Sequence, residues 1–248
     1  MHRAKRGRLT VAIAAAVLIT AASTAAQAAP LIINGSFESG FTSWSRLDQL
    51  GSEGTFGLQT GTTSPISGST VPAPAGGAFA AMTDALGPGS HVLYQDFLVP
   101  IGTTSGTLSF DVFVGNRAGT FFTPITLDFS TPALNQQARV DIIATSANAF
   151  SVAPGDILAT LFTTPVGSPA VTGYNTITAN LSALLAANAG QTLRLRFAEV
   201  DNVNLFQFGV DRVSLDASTA TIPEPATLTL VGLGICGLWG RRRRSRQP

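Results

Sequence analysis

Short apolar runs bounded by Gly, Pro, Asn, Ser and Thr recur through the middle of this chain, and few windows place apolar residues at helical spacing. That punctuation predicts an all-β, antiparallel β-sandwich. Leu193, Leu195 and Phe197 alternate with Arg194, Arg196 and Ala198, after which Glu199-Val200-Asp201-Asn202 reads as a polar loop. His91, Leu93, Gln95, Phe97 and Val99 share one face of a strand predicted over 91–99, with Val92, Tyr94, Asp96 and Leu98 on the other. Pro100 ends that strand, and a glycine-bounded turn leads to Leu108, Phe110, Val112 and Val114, so the two strands are expected to pair as a hairpin. Further strands are expected over 55–59, 79–82, 125–129, 138–143 and 157–163, and one or two helical turns over 181–187. Phe206, Phe208 and Val210 run on one parity and Val213 and Leu215 on the other, which predicts a bulge near Asp211.

The two ends depart from this pattern. Arg3, Lys5, Arg6 and Arg8 precede an apolar stretch from Leu9 to Ala22, and Ala26-Gln27-Ala28 offers small residues at both recognition positions of a cleavage site. Residues 1–28 therefore read as a secretory signal peptide cut by signal peptidase after Ala28. At the far end Pro223, Glu224 and Pro225 lead into an apolar run from Ala226 to Trp239 and then Arg241, Arg242, Arg243 and Arg244. The prolines hold Glu224 in extended backbone, the form a processing enzyme binds. As a helix the apolar run would reach only about 21 Å, short of the roughly 20 residues of a stable membrane span, so transient insertion in the inner membrane is expected. The arginines keep the terminus on the cytoplasmic side. An ordinary C-terminal anchor is the plainer alternative.

This order of features resembles the PEP-CTERM sorting tag of Gram-negative bacteria. The resemblance implies an exported protein, handed to an exosortase-type membrane enzyme and placed at the cell surface or outside it, in organisms that make exopolysaccharide. Residues 222–248 are read as the tag and 29–221 as one β-sandwich domain, a length that holds one good core.

Charge changes the picture of that domain. Four of the 15 basic residues lie in the leader and five in the tail, leaving six between them; of the 14 acidic residues only Glu224 lies in the tail, leaving 13 and a formal charge of −7. Such a field repels phosphate, which argues against nucleic acid as a partner and is compatible with neutral sugars and divalent cations. The only cysteine, Cys236, lies in the tail, so the domain has no disulfide.

Asn34-Gly35-Ser36-Phe37-Glu38 followed by Trp44, the strand with Tyr94-Gln95-Asp96-Phe97, and the closing Gly209-Val210-Asp211-Arg212-Val213 resemble galactose-binding-like jelly rolls. That resemblance implies a structural calcium ion held by Glu38 and Asp211, with Asp201 as a further candidate. Arg212 stands where many relatives carry a second Asp, and a solvated Glu38 beside a core Phe37 is the plainer reading.

No zinc-ligand spacing, Walker loop, dinucleotide fingerprint or nucleophile elbow is present, so no catalytic residue is named and the domain reads as a non-enzyme. Carboxylates such as Asp96, Asp111 and Asp141 leave a glycosidase as a minor alternative. The main reading is a module that binds extracellular polysaccharide, its sugar stacked on Trp44, Tyr94 or Phe113, with Tyr174 a further candidate; Trp44 serves equally as core. The alternative is a structural matrix protein with no defined ligand.

Overall fold

The computed structural model describes residues 29–220. The expected signal peptide with Ala26 and Ala28, and the tail with its Pro-Glu-Pro, apolar run and arginines, lie outside the described residues.

Among the described residues, eleven strands and one short helix follow in order: β1 (Ala29–Pro30), β2 (Ser45–Asp48), β3 (Thr55–Thr60), β4 (Phe79–Asp84), β5 (Gly89–Leu98), β6 (Thr103–Asn116), β7 (Gln136–Ala144), β8 (Ile157–Thr163), β9 (Asn175–Asn180), α1 (Ser182–Ala187), β10 (Thr192–Asp201) and β11 (Phe206–Thr219). They form two antiparallel sheets. One has the order β3-β4-β11-β6-β9 with β1 on β11, the other β2-β5-β10-β7-β8. The expected sandwich is present.

Alternation decides what lies between the sheets. Leu93 and Phe97 of β5, Val140 and Ile142 of β7, and Leu195 and Phe197 of β10 meet Phe110 and Val112 of β6 and Phe208 and Val210 of β11 in one buried cluster. Each fully buried side chain of this size contributes about 1.5–3 kcal/mol. Trp44 joins that core, its ring packed against Phe37 at 5.2 Å and Phe197 at 6.0 Å between centroids, and its indole N–H donates to the Asn34 carbonyl.

The Asn34 to Glu38 segment is a folded corner. Asn34 and Phe37 both have positive φ, and the Asn34 amide donates to the carbonyls of Gly40 and Thr42 while its oxygen accepts from the Ser39 N–H. Asn tolerates this left-handed backbone because its short amide bonds locally. Gly35 is required for a different reason: a Cβ there would lie 1.8 Å from the Val213 carbonyl oxygen, and its own carbonyl accepts the Val213 N–H. The corner is thereby fastened to β11 just beyond the expected bulge, where the β6 register shifts between Asp211 and Ser214 and Arg212 takes a φ of 47°.

Three expectations are corrected. β5 and β6 do not form a hairpin; β5 pairs with β2 and β10, while β6 pairs with β11 and β9, so the connection through Pro100 crosses between sheets. Both strands alternate cleanly, and alternation states which face is buried without stating the neighbour. Residues 125–129 are not a strand but part of a loop whose Leu127 and Phe129 pack, with Ala149, Phe150 and Val152, on the outer face of the β2-β5-β10-β7-β8 sheet. Residues 199–201 are not loop but the buried end of β10.

Candidate functional site: an edge groove and a buried histidine cluster

Both outer sheet faces are largely covered. On one sheet, the loops through Leu127 and Ala149 sit on Val92, Ala198 and Val200. On the other, Val71 packs on Met82 and Phe113 with Tyr174 beside them, and Asp84 accepts from the N–H groups of Ile66 and Ser67 and from the Ser67 hydroxyl. Burial pushes the Asp84 carboxyl upward, but those three hydrogen bonds outweigh it and hold the group below the usual range.

These coverings decide the fate of the aromatic candidates. Stacking on a sugar needs an open ring face. Trp44 is 7% exposed with its ring packed between Phe37 and Phe197, and Phe113 is 2% exposed against Tyr174, so neither presents one. Tyr174 is half-buried, and its hydroxyl donates to Gln59; burial first, then Asp211 and Asp111, push its pKa upward. Tyr94 is half-buried on the outer sheet face with the Arg194 guanidinium 4.0 Å over its ring, and Arg194 is bidentate to Asp96.

The carboxylates weighed for glycoside chemistry are each tied to arginine. Asp96 pairs with Arg194, Asp111 with Arg212, and Asp141 with both Arg139 and Arg196. Asp141 is fully buried, so its pair with Arg139 belongs to an interior network covered by residues 149–151, whose carbonyls at Ala149 and Ser151 accept from Arg196.

Glu38 and Asp211 do converge on one segment. Glu38 accepts from the N–H groups of Ala78 and Phe79, and Asp211 from those of Gly76 and Arg212. Burial raises the Asp211 pKa, with the Gly76 and Arg212 N–H groups opposing it and Asp111 adding to it. An ionised carboxylate offers about four lone-pair positions, so each keeps acceptor capacity that a hard cation would use. The two residues would hold it and so tie the Asn34 corner to β11.

On the open side, the edge strands β2 and β3 border a groove of about 560 Å³ lined by Phe41, Trp44, Arg46, Asp48, Gly54 and Thr55. Arg46 lies 4.4 Å over the Phe41 ring and donates to the Phe56 carbonyl. Edge position is why these groups are reachable: all four β2 residues are exposed, whereas the central strands are buried on both faces.

Behind that groove lies a cluster that the absence of a zinc motif had hidden. Asp48 is bonded at 2.7 Å to His91 Nδ1, and His91 stands opposite Glu199 across the β5 and β10 ladder, with Asp201 two residues on. All three of His91, Glu199 and Asp201 are buried. Burial, with Asp201 nearby, pushes the Glu199 carboxyl well above its ordinary value; burial likewise pushes Asp201 up to about 7, against an opposing bond from the Gly89 N–H. The signal for it was parity, since Glu199 and Asp201 continue the inward positions of Leu193, Leu195 and Phe197, and His91 shares that of Leu93 and Phe97.

No curated protein matches the chain. Solved structures of similar fold include the K3 cleaved adhesin domain of Lys-gingipain from Porphyromonas gingivalis w83, at 18% identity and a TM-score of 0.44 over 75% of this chain and 98% of that one. TmCBM61 in complex with β-1,4-galactotriose is similar at 12% identity and 0.43, over 75% of this chain and 97% of that one. An apo cyclase from Fischerella sp. is similar at 18% and 0.44, over 79% and 99%. At these values no activity transfers. The tail is another matter: the family described as the PEP-CTERM protein-sorting motif matches residues 221–244. The chain carries that motif, which marks it as an exported protein sorted by exosortase in Gram-negative bacteria.

Proposed function

We propose that the exported domain associates with extracellular polysaccharide through the groove between β2 and β3. The observation that carries this reading is the grouping of a half-buried ring, a guanidinium and a carboxylate (Phe41, Arg46 and Asp48) along this groove while loops cover much of both sheet faces. The Phe41 ring holds the Arg46 guanidinium in place at the groove, and Arg46 with Asp48 supplies donors and acceptors for adjacent hydroxyls. The excess of acidic residues favours neutral over anionic glycans. Calcium at Glu38 and Asp211 is a separate structural proposal, and the domain acts in this reading without catalysis.

The test is binding of the full chain, purified in mild detergent, to neutral β-linked glycans and to the producing organism's own extracellular polysaccharide. Saturable binding weakened at least tenfold by Arg46→Ala or Phe41→Ala supports the groove. Binding weakened only by Tyr94→Ala moves the site to the outer sheet face. Absence of binding by the folded chain leaves a structural matrix protein.

A further inference from the structure

We propose that His91, Glu199 and Asp201 form a site for a divalent transition cation of the zinc class, inside the sandwich at one end of β5 and β10. This does not depend on the glycan reading. The three residues each offer one ligand atom, and those atoms lie within 4.8 Å of one another. Strand register brings them together: Glu199 is paired with His91, and Asp201 with Gly89.

Two atoms of the cluster ask for a partner. His91 Nε2 and Glu199 Oε1 are buried, in residues each 1% exposed, and among the described residues neither makes a hydrogen bond. Leaving a buried polar atom without a partner is costly, so a fold that places two of them side by side has a use for them. The His91 ring is also oriented as a ligand. Its Nδ1 lies 2.7 Å from Asp48 Oδ1, so the ring donates there and turns the Nε2 lone pair toward Glu199 and Asp201. A carboxylate behind a histidine is the usual support of a metal-bound imidazole. Space is reserved too: a Cβ at Gly89 would lie 2.4 Å from His91 Nε2, so a side chain there would intrude on the donor atom.

Charge and donor type select the ion. Two buried carboxylates facing each other are costly in a low-dielectric interior, and a divalent cation neutralises both. An imidazole nitrogen with two carboxylates suits zinc and its neighbours; calcium and magnesium prefer oxygen donors alone. Asp201 also lines a cleft of about 270 Å³, with Leu86, Pro88, Asn202 and Leu205, which supplies a route from solvent.

The experiment uses the full chain in mild detergent, purified with a tag free of histidine and stripped with chelator. Zinc is titrated against a competing chromophoric chelator, and the histidine side-chain nitrogens are followed by NMR. Only His2 and His91 are present, so the spectrum holds two rings and His2 is the internal control. The expected result is one saturable equivalent that moves the His91 Nε2 signal and leaves its Nδ1 proton in place, with no such movement on adding calcium. Glu199→Gln abolishes this binding, and Asp48→Asn weakens it about 10–100-fold through the lost support. His91 signals unmoved by zinc, or binding untouched by Glu199→Gln, would overturn the site. Should Glu199→Gln fail to fold, the His91 signal of the unaltered chain decides by itself.

Discussion

Arg196 of β10 and Asp141 of β7 are paired side by side on the outer sheet face, both fully buried and bonded to each other. Burial draws the Arg196 pKa down, and the carboxylate opposes that shift and keeps the guanidinium charged. The pair also pins the covering loop through the carbonyls of Ala149 and Ser151.

Removing one member strands the other. Asp141→Ala is expected to cost about 3–5 kcal/mol, read as a lowered urea midpoint. Asp96→Ala, on the same face but at the exposed Arg194 pair, is expected to cost at most about 1 kcal/mol. Equal effects would mean that the covering loop does not isolate Arg196 from water.

The Asn34 corner depends on contact with the β11 bulge. Gly35→Ala drives a methyl into the Val213 carbonyl and is expected to cost at least about 1–3 kcal/mol of unfolding free energy. Gly155→Ala, where an added Cβ meets nothing within 4 Å, should change stability by no more than about 0.5 kcal/mol.

Acid should release the loop over the β4 face. The folded Asp84 carboxyl titrates below its unfolded value of 3.8, so its contribution is complete above that pH and is lost as pH falls through the folded value. Asp84→Asn is therefore expected to lower stability at neutral pH and to flatten the loss below about pH 4, measured by denaturant midpoints across that range.

Calcium tests the clamp at residues 76–79. Millimolar calcium should raise the unfolding temperature of the unaltered chain and leave that of Glu38→Ala unchanged, while Glu38→Ala itself loses acceptors for the Ala78 and Phe79 N–H groups and is less stable without any ion. An equal rise in both proteins would place calcium elsewhere.

Sorting is tested in the producing cell. Replacing Pro223, Glu224 and Pro225 together by alanine should leave a longer, membrane-retained product, detected by its mobility in the inner-membrane fraction. Normal processing would show that the enzyme reads another part of residues 221–244.

Local chemistry was legible from the sequence wherever neighbours along the chain decide the outcome. The longer strands, the inward parity of Leu93 and Phe97, the bulge at Asp211 and the sorting tag all rest on patterns a few residues long, whereas the short edge strands β2 and β9 carry no such pattern. Tertiary structure decided everything that depends on which strands adjoin and what covers them. Two alternating strands at β5 and β6 entered different sheets, and loops from elsewhere closed over Asp141, Phe113 and the outer sheet faces. His91 and Glu199 lie on separate strands far apart in sequence, so no spacing rule joins them; register does, because pairing β5 with β10 sets the two residues face to face in an interior where each needs a partner.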